Sequence, residues 1–425
     1  MELQSTRPLR LWIFNHYATG PDEGGGTRHF ELAARMVPMS VETTIFASGF
    51  SHFTLRDEKV GRRALWRTEL VDGVRFVWVR TAGYRGNGLM RMLSMLSYAV
   101  GVQVAQARMP PPDVIIGSTI HPFAALAAER VARRRGARFV YEIRDLWPQT
   151  LIDMGALRAR GPGARLLRRI ERHLVASADA VVTALPGVSG YFDEWGLAAR
   201  RLAYIPNGVA TDHVPARPAS AATTTLIGEI GDWRAQGASV FGYVGAHGPA
   251  NDLWTILEAA SMLRDSTSPR CTILLLGDGA EKPALMASAS ARGLDNVRFA
   301  DPIPKADVPI LLGHLDAGIF HLRPNPVFRF GISSNKLFDY MGAGLPVIFA
   351  CESGYDPVRR SDGGISIPPG DAASLARAIE DMARMPADQR RQAGERGRDY
   401  VSREHDLDGL AGQLRGLVRA LAYPP

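Results

Sequence analysis

The sequence has few cysteines, few lysines and no long hydrophobic run, and each shortage excludes a class of protein. Its 425 residues include two cysteines, Cys271 and Cys351, which lie far apart. No Cys-x-x-Cys pair or Cys/His cluster occurs, which excludes zinc ribbons, iron–sulfur sites and a disulfide framework. Isolated cysteines inside apolar runs are typical of buried thiols in a reducing compartment.

Uncharged apolar stretches are short throughout. None reaches the roughly 18 residues of a transmembrane helix, and Arg10 interrupts the apolar run near the N-terminus too early for a signal peptide. We therefore expect a cytoplasmic protein. The apolar fraction of 46% and the charged fraction of 22% are ordinary for a globular chain, which excludes wholesale disorder.

The basic residues are unusual in type and in distribution. Only four of the 50 are lysines, so a lysine inside a motif is a candidate for function. Residues 1–210 carry a net charge of +10 and the remainder −3, which favours an anionic ligand or surface for the first half or, equally, a solvated arginine-rich face. A nucleic-acid-binding protein is disfavoured because no helix-turn-helix, zinc-finger or RNA-recognition signature appears.

Short apolar runs alternate with helical patterns along the chain. The runs are continuously apolar, which is typical of parallel strands covered on both faces, and the alternation predicts α/β doubly wound sheets. Residues 211–238 contain Pro215 and Pro218 with little apolar periodicity, which indicates a linker. We predict Rossmann-like domains over residues 1–210 and 239–400, facing a central cleft, and a helical segment over 401–425 that could pack back on the first domain.

The first strand leads into a glycine-rich loop that begins at Asn15 and His16. Three consecutive glycines, Gly24, Gly25 and Gly26, precede a helix that starts near residue 28. Their backbone N–H groups and the helix N-terminus suit a phosphate or a developing anion. The loop is neither a GxGxxG nor a Walker A motif, so a plain flexible turn is the alternative.

Polar residues follow two more strands of the first domain, at the edge where doubly wound sheets bind ligands. Arg144 could bind a phosphate and Asp145 could accept a hydrogen bond from a hydroxyl, or the two could form an internal pair that supports the loop. Trp147 follows in the same segment. His121 precedes a helix and could either contact substrate or merely lie at the helix start.

A helix near residue 335 carries the most informative segment. One of Ser333, Ser334 and Asn335 is expected to cap it. Lys336 and Asp339 are three residues apart and share a face, and Asp339 lies too deep to cap the helix. We expect Asp339 to bind two ribose hydroxyls while Lys336 and the helix N-terminus receive a diphosphate. The alternative is a surface salt bridge.

Glycines follow two neighbouring strands of the second domain. Gly245 ends one strand, and Gly277 and Gly279 end the other. Glycine allows a nucleotide to approach the backbone closely, so these positions are expected to border the same site.

Together these motifs resemble retaining, metal-independent glycosyltransferases of carbohydrate-active family 4, which have the GT-B fold. The resemblance covers essentially the whole chain and is most specific over residues 335–347, with further matches at 24–26, 144–148, 205–209 and 274–279. Within the family, the chain is similar to bacterial O-antigen and capsule transferases, including those that move N-acetylated amino sugars such as N-acetylfucosamine.

The resemblance implies transfer of a sugar from a nucleotide diphosphate, UDP in preference to GDP, to a lipid-linked or glycan acceptor, with no cofactor or metal. It places the donor in the second domain and the acceptor in the first. From the motifs and the resemblance together, the candidate catalytic residues are Arg144, Asp145, His121 and Gly25. The candidate donor-binding residues are Lys336, Asp339, Asn335, Ser334, Gly245, Gly277, Gly279 and Gly331. The candidate residues of the acceptor and phosphate side are His16, Gly24, Gly26 and Trp147.

The chain departs from the family pattern at several of these positions. Asp339 takes the place of the second Glu of the family's Glu-x7-Glu motif, and Gly331 stands where the first would be. Arg144 stands where the family often has a histidine. Residues 245–249 lack the Arg and Lys that many members use for the diphosphate, so Lys336 and Arg323 or Arg329 are expected to supply that charge.

Two further features concern metal and membrane. Asp406 and Asp408 form the only Asp-x-Asp pair, which we interpret as surface charge. The apolar residues 92–102, with Arg80, Arg85, Arg91 and Arg108 around them and a basic-aromatic stretch at residues 56–67, favour contact with the cytoplasmic face of a membrane. A core helix beside a solvated face is the alternative. The runner-up function is a nucleotide-sugar epimerase of the same fold.

Overall fold

The computed structural model shows two compact units. The first consists of residues 1–207 and 407–425, and the second of residues 208–406. The structure describes residues 7–21, 25–52, 54–61, 63–86, 88–119, 121–210, 218–264 and 270–424. Each unit has one sheet that is wholly or mainly parallel, with helices between the strands, so the predicted α/β class is confirmed for both.

The first unit has an eight-stranded sheet. Its strands are β1 Leu9–Phe14, β2 Val41–Ser48, β3 Trp66–Val71, β4 Val74–Val79, β5 Val114–Thr119, β6 Arg138–Ile143, β7 Ala180–Thr183 and β8 Leu202–Tyr204. The order is β3-β4-β2-β1-β5-β6-β7-β8, and only β3 and β4 pair antiparallel. The order reverses at β1, so the residues that follow β1 and β5 lie at a position where such sheets bind ligands.

Six α-helices precede residue 207 in the described part of the first unit. They are α1 Arg28–Met36, α2 Leu89–Ala105, α3 Pro122–Arg135, α4 Gln149–Asp153, α5 Pro162–Ser177 and α6 Val188–Trp195. The ends of α3 follow from its sequence, since His121 caps its N-terminus, proline occupies its first position and Gly136 ends it with a φ of +67°. None of the helices in the described part of the chain combines the length and hydropathy needed to cross a membrane.

The second unit has a six-stranded, fully parallel sheet. Its strands are β9 Ser239–Val244, β10 Cys271–Leu276, β11 Val297–Ala300, β12 Ala317–His321, β13 Val347–Ala350 and β14 Gly364–Ile367, in the order β11-β10-β9-β12-β13-β14. Its helices are α7 Ala221–Ala235, α8 Leu253–Arg264, α9 Lys282–Ala291, α10 Val308–Leu312, α11 Asn335–Gly342, α12 Pro357–Ser361, α13 Ala372–Arg384 and α14 Ala387–Glu404.

Strand β10 shows why these strands are continuously apolar. Ile273 and Leu275 belong to one hydrophobic cluster of the unit, whereas Leu274 belongs to the other. Successive side chains point to opposite faces, and helices cover both faces of the sheet. Cys271 and Cys351 are buried, as the sequence predicted.

The structure corrects the predicted linker over residues 211–238. Helix α7 occupies much of that range and buries Leu226 and Ile230 in the core of the second unit. Ser220 caps the helix by accepting a hydrogen bond from the Thr223 N–H, and the Thr223 hydroxyl donates to Asp307 at 2.8 Å. The Ala/Thr-rich composition concealed this helix because its apolar residues are few. Residues 211–217 lie outside the described part of the chain.

The C-terminal boundary also moves, from residue 400 to residue 406. Helix α14 belongs to the second unit, and α15 Leu407–Ala422 belongs to the first. Helix α15 packs against α1, burying Leu410, Leu414 and Val418. Asp408, interpreted above as surface charge, forms an ion pair with Arg35 at 3.2 Å.

Candidate active site

A cavity of about 300 Å³ lies in the first unit, where β1, β2 and β6 end. Its volume is at the lower end of the range for small-molecule sites. Residues from the loops after β1 and β6, from the glycine loop and from the N-terminal turn of α2 meet there. The lining includes His16, Tyr17, Gly25, Gly26, Arg91 and Arg144.

Four of the predicted catalytic and substrate-binding residues therefore share one cavity: His16, Gly25, Gly26 and Arg144. His121 does not line the cavity, but its ring contacts that of His16, which does. Asp145 and Trp147 do not line it either, although they follow Arg144 directly. Gly24 lies outside the described residues.

His16 is held tightly at the cavity wall. Its ring stacks on Tyr17 and Tyr98, with centroids 4.4 and 4.8 Å away, and its Nδ1 lies 3.0 Å from Nε2 of His121. Burial lowers the pKa of His16 well below its usual range and that of His121 to about 3. Both rings are consequently neutral at physiological pH.

Arg144 brings a positive charge to the same wall. Its backbone N–H donates to the Thr119 hydroxyl at 3.3 Å, which fixes the start of the loop after β6. The side-chain Nε and Nη1 are buried and have no hydrogen-bond partner among the described residues. The internal pair with Asp145, which the sequence left open, is not formed in this part of the chain, and Asp145 is exposed. Arg144 therefore keeps donors available for an anion.

Other cations strengthen the positive character of the cavity. Arg91 donates through Nε to the Tyr17 hydroxyl at 3.1 Å, and Lys59 lies 4.9 Å from the ring centroid of Trp78. Glu58 is the one carboxylate among the described residues of the lining. Lys59 comes from the basic-aromatic stretch predicted at 56–67, in which Arg62 lies outside the described residues.

The backbone conformation of the loop requires glycine at positions 25 and 26. Gly25 has a φ of +102°, which favours glycine, and a Cβ at Gly26 would lie 2.3 Å from the Tyr17 carbonyl oxygen. Helix α1 begins directly after the loop, at Arg28. Its N-terminus therefore adds a partial positive charge next to the cavity.

A buried charge network below this loop was missed in the sequence. Glu142 in β6 accepts hydrogen bonds from His29 at 2.7 Å and from Arg28 at 3.3 Å, and Arg28 also donates to the carbonyls of Ile205 and Pro206. Burial opposes ionisation of Glu142, but His29 and Arg28 hold its pKa well below the usual range. The network fixes the start of α1. The signal was a glutamate inside an otherwise apolar strand.

The second unit places Lys336 in the first turn of α11. Its Nζ donates to the hydroxyl of Tyr243 at 2.9 Å and to Oδ1 of Asn251 at 2.5 Å. Burial lowers the pKa of Lys336 to about 7, and neither hydrogen-bond partner carries a negative charge that would oppose this shift. A Cβ at Gly245 would lie 3.5 Å from the Lys336 Nζ, so the two predicted donor residues are adjacent.

The other donor candidates surround the start of α11. Ser334 occupies the N-cap position without a side-chain capping bond, and Asn335 is the first helical residue. Asp339 is half-buried in the second turn, and Gly331, with a φ of +100°, ends the preceding turn. Lys336 is directed to Tyr243 and Asn251, so the alternative of a surface Lys336–Asp339 bridge is not formed among the described residues.

The structure gives a reason for glycine at positions 277 and 279 that the sequence did not reveal. A Cβ at Gly277 would lie 1.9 Å from the carbonyl oxygen of Gly245, and one at Gly279 would lie 2.3 Å from that of His247. The loops after β9 and β10 thus pack backbone against backbone. These two glycines are needed for that packing, whether or not a nucleotide approaches them.

Both halves of the chain match known families. A model described as "Glycosyl transferase 4-like domain" matches residues 23–208, and one described as "Glycosyl transferases group 1" matches residues 238–385. The chain belongs to the glycosyltransferases. The enzyme class that the family resemblance implied is thereby confirmed.

A curated relative supports this result. The glycosyltransferase is 25% identical over 276 residues to the probable glycosyltransferase WbjE of Pseudomonas aeruginosa. The match covers 64% of the chain and 66% of that relative, which is just under two thirds of the relative's length. The comparisons give no support to the epimerase alternative.

Solved structures confirm the GT-B fold of the glycosyltransferase. Sucrose-phosphate synthase from Thermosynechococcus elongatus superposes with a TM-score of 0.75 at 18% identity, over 98% of this chain and 99% of that one. HepE from Anabaena, in complex with UDP and glucose, superposes with a TM-score of 0.67 at 17% identity, over 97% of this chain and 100% of that one.

Proposed function

We propose that the glycosyltransferase moves a sugar, with retention of anomeric configuration, from a UDP-sugar to a lipid-linked or glycan acceptor in bacterial O-antigen or capsule synthesis. The observation that carries the proposal is the desolvated ammonium of Lys336 next to Gly245 at the N-terminus of α11. Cationic and helix-terminal groups are what a diphosphate requires. The resemblance described above favours an N-acetylated amino sugar as the group transferred.

The donor is assigned to the second unit. Lys336 and the α11 N-terminus would hold the diphosphate, with Ser334 and Asn335 beside it, and Asp339 would accept hydrogen bonds from the ribose. UDP is preferred to GDP because the HepE structure contains UDP. Positive charge held in place before the reaction stabilises the leaving diphosphate without reorganisation, which is commonly a large contribution to catalysis.

The acceptor is assigned to the first unit. In this proposal Arg144 and the Gly25 and Gly26 backbone act on anionic groups of the substrates, and Asp145 and Trp147, which lie outside the cavity lining, contact the acceptor. The cavity can supply the charge, because three of its lining residues are cationic. We propose a metal-independent reaction on the basis of this charge and of the family resemblance.

A membrane contact through α2 completes the proposal. Five apolar residues recur at helical spacing on one face of α2 and are exposed: Leu89, Leu93, Leu96, Val100 and Val104. The opposite face is buried through Met95, Tyr98 and Val102. An exposed apolar stripe of this length is unusual for a surface that meets only water.

One of the four arginines that the sequence placed beside this stripe lies elsewhere. Arg91 is turned toward Tyr17 and the cavity, which corrects its expected place beside a membrane. Arg130 and Arg133 of α3 instead line a groove of about 500 Å³ together with Leu96 and Val100. Apolar and cationic groups on one surface match an anionic bilayer, which would carry the lipid-linked acceptor.

The transfer itself is tested by product balance. The protein is incubated with candidate UDP-sugars and bacterial lipid-linked saccharides, and free UDP and lipid-linked sugar are quantified together. We expect one UDP released per sugar transferred, with the anomeric configuration of the donor retained in the product. Interconversion of the donor sugar without stoichiometric UDP release would establish the epimerase instead.

A further inference from the structure

A chain of hydrogen bonds runs from the N-terminus of α3 to the cavity of the first unit. The Ala124 N–H donates to Nδ1 of His121 at 3.4 Å. Nε2 of His121 lies 3.0 Å from Nδ1 of His16. Nε2 of His16, in turn, is buried and has no hydrogen-bond partner in the described part of the chain. His16 itself lines the cavity.

The direction of this chain follows from the backbone. An amide N–H can only donate, so Nδ1 of His121 is an acceptor and its ring proton is on Nε2. That proton is donated to Nδ1 of His16, which is therefore also an acceptor. The proton of His16 must then be on Nε2. The helix N-terminus thus determines the tautomers of both rings in sequence.

The resulting N–H group of His16 has a fixed direction. Stacking on Tyr17 and Tyr98 prevents the ring from turning, and only 2% of the residue is exposed. Buried donors without a partner are rare in folded proteins, and one that lines a cavity indicates a ligand acceptor. Arg144 lines the same cavity and adds positive charge there, and its Nε and Nη1 are buried without a hydrogen-bond partner among the described residues.

We propose that His16 donates a hydrogen bond from Nε2 to a phosphoryl oxygen of a substrate, and that His121 is a positioning residue that holds His16 in the required tautomer. Arg144 provides positive charge at this site, and the fixed N–H group of His16 determines where the phosphoryl oxygen binds. The proposal rests on the proposed function in one respect, which is the source of the phosphoryl oxygen. A nucleotide-sugar donor and a lipid-linked acceptor both contain a diphosphate that could provide it. One consequence is that His16 cannot act as a general base toward the cavity.

The tautomers can be measured directly. The full chain is labelled with ¹⁵N-histidine, and long-range ¹H–¹⁵N correlations are recorded at pH 7, with assignment by the His16→Gln and His121→Gln variants. We expect both rings in the Nε2–H form. A His16 ring protonated on Nδ1, or on both nitrogens, would overturn the proposal.

Two substitutions of His121 separate positioning from helix capping. Asparagine retains a capping oxygen for the Ala124 N–H but is too short to donate to His16, whereas glutamine retains the donor and weakens the cap. We expect His16 to keep the Nε2–H form in His121→Gln and to become a mixture in His121→Asn. The opposite ranking, or no difference, would show that His121 only caps α3.

The ligand is tested by titrating inorganic pyrophosphate, UDP and geranyl diphosphate while following the His16 Nε2–H resonance. A shift with UDP alone assigns the oxygen to the donor, and a shift with geranyl diphosphate alone assigns it to the acceptor. Either supports the proposal, with binding about three- to tenfold weaker in His121→Asn than in His121→Gln. No shift with any of the three refutes it. A shift in a protein that transfers no sugar would overturn the proposed function and leave this proposal standing.

Discussion

Lys336 is the residue on which the donor assignment depends most. Its pKa of about 7 is far below that of a solvated lysine because its ammonium is buried next to neutral oxygens. An incoming diphosphate would provide the missing negative charge and restore the charged form. A lysine that is half-protonated at neutral pH makes donor binding sensitive to pH.

We predict that UDP binding weakens as the pH rises through 7. UDP prefers the protonated form of Lys336, and a pKa of about 7 leaves about a tenth of that form at pH 8, so the affinity should fall about fivefold between pH 7 and 8. Calorimetric titration across this range measures it. Lys336→Arg, which stays charged, should remove the dependence on pH. Parallel pH profiles for the two proteins would exclude Lys336 as the diphosphate ligand.

Asp339 provides a second residue-level prediction. If its carboxylate accepts ribose hydroxyls, Asp339→Ala should weaken UDP binding by about 1–3 kcal/mol. Asp381→Ala is the matched control, because Asp381 is an exposed aspartate on α13 of the same unit. Titrations of UDP and GDP into both variants make the comparison. Equal affinity for UDP in the two variants would mean that the nucleotide site is wrongly assigned.

At the scale of the element, α2 differs from an ordinary surface helix because both of its faces are apolar. The buried face packs in the first unit through Met95 and Tyr98, and the exposed face carries the stripe that begins at Leu89. A period of 3.6 residues alone cannot distinguish such a helix from one that is fully buried. The neighbouring helices decide which face remains exposed.

We predict that the α2 stripe binds anionic vesicles. The Leu89→Ser/Val100→Ser variant replaces two residues that are each 66% exposed, so it should fold normally and bind phosphatidylglycerol-containing vesicles at least about tenfold more weakly. Met262→Ser/Met286→Ser, on exposed positions of the second unit, is the control. Vesicle flotation at low and high salt provides the measurement. Equal flotation of both variants would remove α2 from the membrane contact.

At the scale of the molecule, the chain leaves the first unit after residue 207 and returns to it at residue 407. The first unit is therefore discontinuous in sequence, because its last helix follows the whole of the second unit along the chain. Helix α15 completes the core around α1 through Leu414 and Val418. Removal of α15 exposes this apolar surface.

We predict that deletion of residues 407–425 destabilises the first unit selectively. Loss of several buried leucine and valine contacts should cost the first unit a few kcal/mol of unfolding free energy. Hydrogen exchange measured by mass spectrometry reports each unit separately. Exchange should accelerate in α1 and β1 and stay unchanged in β9 and β10. Uniform acceleration in both units would show that they unfold as one.

The sequence by itself determined the α/β class and the approximate position of both sheets, and its resemblance to a known family implied the enzyme class. Continuous apolar runs identify buried parallel strands whatever their neighbours are, and glycine loops with charged residues mark the ends of strands. It also indicated His16, Arg144 and Lys336 as candidates, because polar residues at strand and helix ends stand out against apolar surroundings.

Only the tertiary structure decided which of these residues meet. It brought His16, Gly26 and Arg144 to one cavity, linked His121 to His16 and left Asp145 outside. It also revealed the Glu142 network and the helix α7 within the supposed linker. The physical reason is that burial, tautomer and the pKa of a side chain depend on residues distant in sequence, whereas strand and helix patterns depend on near neighbours.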